Sequence, residues 1–322
     1  MTSSTPKVSV IIPAYSAAKF IGVALDSVFA QTFPHYEVVV VNDGSPDTAE
    51  LEEVLKPYEG RIEYITQENR GLSGARNTGV RAARGEFVAF LDADDLWVPT
   101  YLERQLAEIE RHPELDIVYA NATIFGDSID SGKKFMDLNP SDGPVTFESL
   151  ITQQCNVMVS VVARRSTLIA AGLFDEQLRS VEDFDLWLRV IKQGGRIGYH
   201  RDVLVRYRRH AASLSADPVW MCEHVLKVLD KAGKTLPLTA SEKTLLDSQR
   251  SRFHAMLLLQ EGKRAFFKGE PDIAIGKLTE ANQVFKSRKI AAAVWLLRRV
   301  PRALLFAYDL RDKLILRAST KH

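Results

Sequence analysis

Two groups of acidic residues have types and a spacing that suit chemistry. Asp92, Asp94 and Asp95 directly follow the apolar run 87–91. Carboxylate oxygens are the ligands that Mg²⁺ and Mn²⁺ prefer, with phosphate oxygens and water completing the coordination shell. A cation held there would act as a Lewis acid on a departing diphosphate. Taken alone, such a cluster is more often a solvated turn that caps a helix, here the helix expected near residues 99–109.

The second group, Glu182 and Asp183, opens a segment with helical periodicity over residues 182–192. Leu186 and Val190 lie on one side of that helix. A carboxylate at its start can accept the proton of a reacting hydroxyl. The competing explanation is electrostatic, because acids in a first helical turn are favoured by the helix dipole and need no catalytic role.

The elements that position these acids alternate between strands and helices. Apolar runs predict strands at residues 8–12, 36–41, 61–66, 87–91 and 157–163, and helical patterns begin at Phe20 and cover residues 73–84. This alternation indicates the α/β class, with a Rossmann-like, mostly parallel central sheet flanked by helices. Ligands bind at the carboxyl ends of the strands in such sheets. Tyr15, Asp43 and residues 92–95 are therefore expected to converge on one crevice.

Two regions are expected along the chain. Strand patterns disappear beyond about Ser215, so residues 1–215 are predicted to form the α/β domain and residues 216–322 an all-α C-terminal region. Within that region, helices predicted at 257–267 and 273–285 are joined by the turn Lys268-Gly269-Glu270-Pro271. The pair resembles one helix-turn-helix repeat unit of the tetratricopeptide type, and a single copy does not make an array.

Composition excludes several classes of protein. The chain has 322 residues and a formal net charge of +1. It therefore lacks the strong overall positive charge that would indicate nucleic acid as a partner. Its two cysteines, Cys155 and Cys222, lie far apart, which argues against a disulfide framework or a structural zinc site. The N-terminal apolar stretch is too short for a signal peptide, and no stretch reaches the length of a membrane span. A cytoplasmic protein is therefore expected.

The C-terminal tail is basic and amphipathic. From Lys286 onward there are ten Lys or Arg residues against two acids, Asp309 and Asp312. Such a helix can lie on an anionic membrane surface, or its apolar side can pack on the rest of the helical region. The residues alone leave both arrangements open. The residues expected on one apolar helical face are Ala303, Phe306, Leu310 and Leu314.

Several segments give the acids a wider context. They are VSVIIPAY at residues 8–15, VVNDGS at 40–45, NRGLSGARNTG at 69–79, GEFVAFLDADD at 85–95, GLFDE at 172–176, EDFDLWLR at 182–189 and YRRH at 207–210. In order and spacing as well as in wording, these segments closely resemble the family 2 glycosyltransferases of GT-A fold. The resemblance covers roughly residues 7 to 215 and leaves the helical remainder outside.

The resemblance implies that Pro13, Ala14, Tyr15 and Asp43 hold the nucleobase of a donor and that Asp92 faces the ribose. The residue types agree with this assignment. An aspartate carboxylate can accept a hydrogen bond from a pyrimidine N–H, and the ring of Tyr15 can pack against the base. The competing explanation for Asp43 is an Asx-turn.

The resemblance also implies the remaining roles. Asp94 binds the metal, Asp183 is the general base, and His210 approaches the metal or the diphosphate. Arg208 neutralises phosphate charge. Arg76 contacts the base or a phosphate, unless it lies on the outer face of its helix.

The function implied is an inverting, Mn²⁺- or Mg²⁺-assisted transfer of a sugar from a UDP- or dTDP-sugar to a glycan or lipid-linked acceptor, in cell-surface polysaccharide assembly. Because lipid-linked acceptors are common in this family, the resemblance also favours a peripheral association of the basic tail with the inner face of the cytoplasmic membrane. Two alternatives stay open. A nucleotidyltransferase has a similar sheet, but a Gly-rich loop with a basic residue usually follows its first strand, and here residues 13–18 are PAYSAA. An inactive GT-A binding or scaffold protein is the other, and the intact acids argue against it.

Overall fold

The computed structural model describes residues 5–127, 130–210, 213 and 216–300. One eight-stranded sheet, in the order β3-β2-β1-β4-β7-β6-β8-β5, forms the centre of the α/β region. The strands are β1 Val8–Ala14, β2 Tyr36–Asp43, β3 Glu63–Gln67, β4 Phe87–Phe90, β5 Leu96–Trp97, β6 Ile117–Gly126, β7 Val161–Arg164 and β8 Ile197–Arg209.

Parallel pairing dominates one half of the sheet. β1 pairs in parallel with β2 and β4, and β2 pairs in parallel with β3. The core strands are buried along almost their whole length because helices cover both faces. In the other half, β7 runs antiparallel to β4 and β6, β8 runs parallel to β6, and β5 runs antiparallel to β8. The expected helix-flanked sheet is confirmed, and it is mostly parallel in the approximate sense that four of the seven strand pairs are parallel.

Helices connect the strands and form the C-terminal region. Those before residue 216 are α1 Ala18–Phe29, α2 Thr48–Leu55, α3 Gly71–Ala82, α4 Tyr101–Arg111, α5 Phe135–Leu138, α6 Phe147–Ile151, α7 Arg165–Ala170 and α8 Glu182–Lys192. A 3₁₀ turn at Lys56–Tyr58 follows α2. The later helices are α9 Pro218–Thr235, α10 Ala240–Phe267, α11 Pro271–Phe285 and α12 Arg288–Leu297.

Each predicted strand is present, but its bounds differ from the prediction by one to four residues, and for two of the strands the pairing of neighbours gives the reason. β1 continues through Pro13 to Ala14. Its neighbour β4 ends opposite Ile11, so Pro13 has a neighbouring strand only on the β2 side and its missing N–H is tolerated. β7 begins at Val161, whereas apolarity predicted a strand from residue 157, because its partners β4 and β6 pair with it only over residues 161–164.

The described residues divide into two compact units. The first comprises the described residues within Met1–Ala216 and Lys231–Glu242, and the second those within Asp217–Asp230 and Lys243–His322. The sheet lies in the first unit. In the second, α11 and α12 share a small apolar core whose buried members include Ala274, Leu278, Val294 and Leu297. The division of the chain at residue 215 into a catalytic and a helical domain stays a prediction.

The close approach of α3 to β1 depends on Gly79. A Cβ atom at this position would lie 2.4 Å from Cγ2 of Ile11, which is fully buried in β1. Neither the strand nor the helix has room to move, because both are packed in the interior. Gly79 therefore allows α3, which carries Arg76, to lie against the centre of the sheet.

We predict that Gly79→Ala lowers the free energy of unfolding by about 1–3 kcal/mol through overpacking. Urea denaturation of wild type and variant measures this change. Gly276→Ala is the matched control, since Gly276 lies in α11 with nothing within 4 Å of an added Cβ. The control should gain about 0.5–1 kcal/mol from helix propensity. An equal, small effect of both substitutions would contradict the packing argument.

Candidate active site

Three polar loops lie at one edge of the sheet. β1 ends at Ala14, β2 at Asp43 and β4 at Phe90, and the three strands are parallel. Their carboxyl ends therefore share an edge, as the sequence predicts. The loops after β1 and β2 are joined directly, because the backbone N–H of Ser16 donates to Ser45 Oγ at 2.7 Å.

The loop after β1 presents one exposed aromatic side chain. Tyr15 is 55% exposed, whereas Pro13 and Ala14 are buried within the strand. Ser16 has a left-handed backbone with φ of 51°, which turns the chain sharply after Tyr15. The ring of Tyr15 is thus available for stacking, whereas Pro13 and Ala14 are part of the buried end of β1.

Asp43 is fixed by neighbours at the ends of β2 and β3. Its Oδ1 accepts hydrogen bonds from Gln67 Nε2 at 2.6 Å and from the backbone N–H of Arg70 at 2.8 Å. Gln67 is oriented in turn, because its Oε1 accepts a hydrogen bond from Thr78 Oγ1 at 2.6 Å. The buried carboxylate of Asp43 therefore has a defined direction, with Oδ2 left for a further donor.

Sequence reasoning missed Gln67 and Thr78. Gln67 is the last residue of β3, so the rule that singled out Asp43 at the end of β2 applies to it equally. The sequence reasoning singled out acidic and turn-forming residues at strand ends, and the neutral Gln67 is neither. No sequence signal marks Thr78, whose role depends on α3 packing beside β3.

The acidic loop after β4 contains side chains in two environments. Those of Asp92 and Asp94 are 28% and 31% exposed, whereas Asp95 is buried. Asp95 Oδ1 accepts a hydrogen bond from the backbone N–H of Arg208 at 2.7 Å, and Arg208 Nε donates to the carbonyl oxygen of Asp94 at 2.7 Å. Burial, together with Asp94 and Asp92, raises the pKa of Asp95 well above its usual range. Asp95 thus ties the acidic loop to the end of β8.

His210 follows β8 and reaches the same loop. Its Nε2 lies 3.1 Å from Asp94 Oδ2. The Phe20 ring stacks on the imidazole with centroids 5.4 Å apart and also faces the guanidinium of Arg208 at 4.9 Å. Burial and the neighbouring Asp92 raise the pKa of Asp94. The structure therefore brings together both predicted metal ligands and the predicted phosphate contact.

The donor set fits a divalent cation that shares its coordination shell with a ligand. Within the described ranges, no group of three or more His, Cys, Asp or Glu residues could hold a metal ion by itself. Asp94 and His210 offer one carboxylate oxygen and one imidazole nitrogen. Mg²⁺ is commonly held by one or two carboxylates plus substrate phosphates and water, so these two side chains meet that requirement.

Arg76, from α3, is buried between two acids. Its Nη2 donates to Asp92 Oδ1 at 2.7 Å, its Nη1 donates to Glu182 Oε1, and its side chain is 1% exposed. Burial alone would lower the pKa of the guanidinium, but Asp92 and Glu182 raise the pKa beyond that effect. This position, beside the acidic loop at the carboxyl edge of the sheet, agrees with the expectation that Arg76 lies near the donor. Its role there stays a prediction.

Asp183 lies in the first turn of α8 and is partly buried. Its Oδ1 accepts a hydrogen bond from the backbone N–H of Phe184 at 2.7 Å. Burial and the adjacent Glu182 raise the pKa of Asp183 to about 7, although Arg76 opposes this rise. A carboxyl group with a pKa near neutrality is suited to accept a proton.

The predicted residues therefore occupy one region of the first unit. The base-contacting candidates lie at the ends of β1 and β2, the acidic loop follows β4, and Arg76 connects that loop to the helix that carries Asp183. An α/β sheet with these groups at its carboxyl edge has the arrangement of a GT-A glycosyltransferase.

Comparison with known proteins identifies the family. The model of glycosyl transferase family 2 matches residues 9–159. The Escherichia coli protein UDP-Glc:alpha-D-GlcNAc-diphosphoundecaprenol beta-1,3-glucosyltransferase WfgD is 30% identical over 212 residues, which cover 65% of this chain and 80% of WfgD. An uncharacterized glycosyltransferase of Rickettsia bellii is 31% identical over 214 residues, 64% of this chain and 30% of that longer protein. The chain belongs to glycosyl transferase family 2, and the resemblance is confirmed.

Solved structures confirm the fold. Residues 1–349 of S. aureus TarS, in complex with UDP, superpose with a TM-score of 0.61 at 22% identity, covering 91% of this chain and 87% of that one. The mannosyltransferase PcManGT of Pyrobaculum calidifontis, in complex with GDP-Man and Mn²⁺, gives a TM-score of 0.59 at 20% identity and covers 94% and 84%. Among the residues described here, no helix is both long and apolar enough to cross a membrane.

Proposed function

We propose that this chain is an inverting glycosyltransferase that moves a sugar from a nucleotide-diphosphate-sugar to a hydroxyl group of an acceptor. The observation that carries the proposal is the link through Arg76 between the loop of Asp92 and Asp94 and the helix of Asp183. A site for the leaving diphosphate and a candidate base are thereby held next to each other. Family membership supports the same reaction class.

The donor's base is bound between Tyr15 and Asp43 in this proposal. The exposed ring stacks on the base, and the oriented carboxylate accepts an N–H from its edge. Uracil and thymine have such an N–H, which favours a UDP- or dTDP-sugar. TarS with UDP supports this assignment, whereas PcManGT with GDP-Man shows that a purine also fits this fold.

Asp183 acts as the general base. The carboxylate accepts the proton of the acceptor hydroxyl while the oxygen attacks the anomeric carbon from the side opposite the diphosphate. The bond to the diphosphate breaks in the same displacement, so one step inverts the configuration. Glu182 is unsuited to this role because Arg76 occupies its carboxylate in a buried ion pair.

The leaving diphosphate is received by the acidic loop and the end of β8. Asp94 and His210 would hold Mn²⁺ or Mg²⁺, which neutralises charge on the diphosphate when bound. Arg208 contributes a fixed positive charge, because hydrogen bonding to Asp94 O and contact with Phe20 hold its guanidinium in place. Phe20 orients His210 by stacking on its ring.

The acceptor is proposed to be a glycan or a lipid-linked glycan of the cell surface. WfgD, by its name, acts on a diphosphoundecaprenol-linked sugar, which supports this class. A nucleotidyltransferase and an inactive binding protein are disfavoured by family membership and by the raised pKa of Asp183, which suits proton transfer. Hydrolysis of the donor in the presence of a divalent cation would separate an active enzyme from an inactive one.

A cytoplasmic location is also proposed, with peripheral attachment of the C-terminal region to an anionic membrane. The face Ala303, Phe306, Leu310 and Leu314 lies outside the described residues. In the described part, α12 exposes Arg288, Ala292 and Trp295 along one side, and the exposed Arg299 follows just after the helix ends, so positive charge lies beside an aromatic ring. The guanidinium of Arg299 lies 3.9 Å from the centroid of the Trp295 ring.

Asp94→Ala should abolish metal-dependent donor binding and leave the fold intact, because the side chain is 31% exposed at a strand end. A thermal-shift panel of nucleotide diphosphates and their sugars, with and without Mn²⁺, measures the effect. Saturating wild type at about 100 times Kd should add about 2.7 kcal/mol of stability, which the variant lacks. Asp142→Ala, at a side chain that is 79% exposed, is the control. A Mn²⁺-dependent shift retained by Asp94→Ala would refute the metal assignment.

Asp183→Asn should leave donor affinity nearly unchanged and reduce turnover about 10²–10⁴-fold. Because the pKa of Asp183 is raised to about 7, its carboxyl group is protonated, and unable to act as a base, at lower pH. Wild-type turnover should therefore rise with pH up to about 7 and then level off, and the variant should lack this rise. NMR of the product follows turnover and reports the anomeric configuration. Equal losses of binding and turnover would indicate a structural role at the helix start.

Arg288→Gln combined with Arg299→Gln should weaken binding to anionic vesicles by about 1 kcal/mol for each charge removed. Co-sedimentation at rising ionic strength, on anionic and neutral vesicles, measures this. Substitution is preferable to deletion from Lys286, since Val294 and Leu297 of α12 pack in the core of the second unit. Lys263→Gln with Lys268→Gln, two exposed cations of that unit, is the control. If the wild-type protein does not co-sediment with anionic vesicles even at low salt, this attachment is excluded.

A further inference from the structure

Arg76 bridges two elements that carry different parts of the site. One of its acidic partners, Asp92, belongs to the loop after β4, and the other, Glu182, is the first residue of α8. A guanidinium is planar and presents a fork of donors, so binding two carboxylates fixes their relative position. With 1% of its side chain exposed, Arg76 has almost no surface left for contact with a bound molecule.

The entry to α8 needs such an anchor. Val181, immediately before the helix, has a left-handed backbone with φ of 52°. A β-branched residue rarely adopts this conformation, which persists only where surrounding contacts enforce it. Contacts at this turn include the ion pair of Arg76 with Glu182 and the hydrogen bond from the Asp185 N–H to the Val181 carbonyl at 3.3 Å.

The direction of Asp183 follows from this anchor. Successive side chains of a helix point about 100° apart, so fixing Glu182 on Arg76 determines where the next carboxylate points. The same guanidinium fixes Asp92 in the acidic loop. Arg76 therefore sets the separation between the base-carrying helix and the loop that receives the donor.

We propose that Arg76 is a positioning residue that aligns Asp183 with the donor by clamping Glu182 and Asp92, and that it does not itself contact the donor. The inference rests on the proposed function and deepens it. A misplacement of about 1 Å can reduce catalysis about 10²-fold without weakening ground-state binding. Arg76 thus controls turnover while leaving donor affinity to Tyr15 and Asp43.

The first test is Arg76→Lys, which keeps the charge and loses the fork. Turnover should fall about 10²-fold, whereas the donor Kd, from titration calorimetry, should stay within about threefold of wild type. A Kd that rises in proportion to the loss of turnover would show direct contact with the donor and overturn the proposal.

A second, double variant distinguishes a loss of alignment from a failure to fold. Arg76→Met combined with Glu182→Met removes both buried charges, and exchanging a buried ion pair for apolar residues of similar volume is often neutral for stability. Asp92 keeps access to water because its side chain is 28% exposed. The double variant should melt near wild type, bind the donor, and show the same loss of turnover. Wild-type turnover in a folded double variant would overturn the proposal.

Arg189→Lys is the matched control, since Arg189 also lies in α8 and pairs with a buried acid, Asp185, at 2.7 Å. It should keep turnover within about threefold of wild type. An equal loss in this control would indicate general loosening of α8 and reject the specific role of Arg76. Wild-type turnover in the same series tests the proposed function separately. If wild type is inactive, that function fails, and a loss of donor affinity in Arg76→Lys would still refute the positioning role.

Discussion

The parallel register of β1 with β2 and β4 is the constraint on which the rest of the site depends. Parallel strands with buried faces must start at one edge and end at the other, so the loops that follow them meet at a single edge. Gly79 lets α3 approach β1 closely, which brings Arg76 to the same place. Backbone pairing alone thus brings the acids and the exposed Tyr15 to one edge, whatever contacts their side chains make there.

Burial of charge determines how that edge is used. An unpaired guanidinium in the interior would be very unfavourable, so Arg76 requires both of its acids. The carboxylate of Glu182 is occupied by its ion pair with Arg76. Asp183, the next residue, has its pKa raised to about 7 by burial and by the neighbouring anion. Two adjacent acids of similar type consequently differ in chemistry. Glu182 is held in a buried ion pair, whereas Asp183 has a pKa that suits the proton transfer proposed for it.

Strand-end reasoning predicted Tyr15, Asp43 and the acidic loop, because apolar runs and turn residues are local features of the sequence. It did not find Gln67, Thr78 or Phe20, whose contacts join residues from separate elements. Asp95 has the same residue type as Asp94 one position away, and only its burial distinguishes the two. Residue type indicates what a group can do, whereas its surroundings decide which of those roles it takes.

The sequence by itself determined the α/β class, the convergence of three loops at the carboxyl edge of the sheet and the family, since these depend on periodicity and on motifs within short segments. Only the tertiary structure decided the pairing of Arg76 with Asp92 and Glu182, the left-handed turn at Val181 and the approach of His210 to Asp94. His210 and Asp94 are 116 positions apart. No local pattern encodes such a distance, because it results from the packing of the whole sheet and its helices.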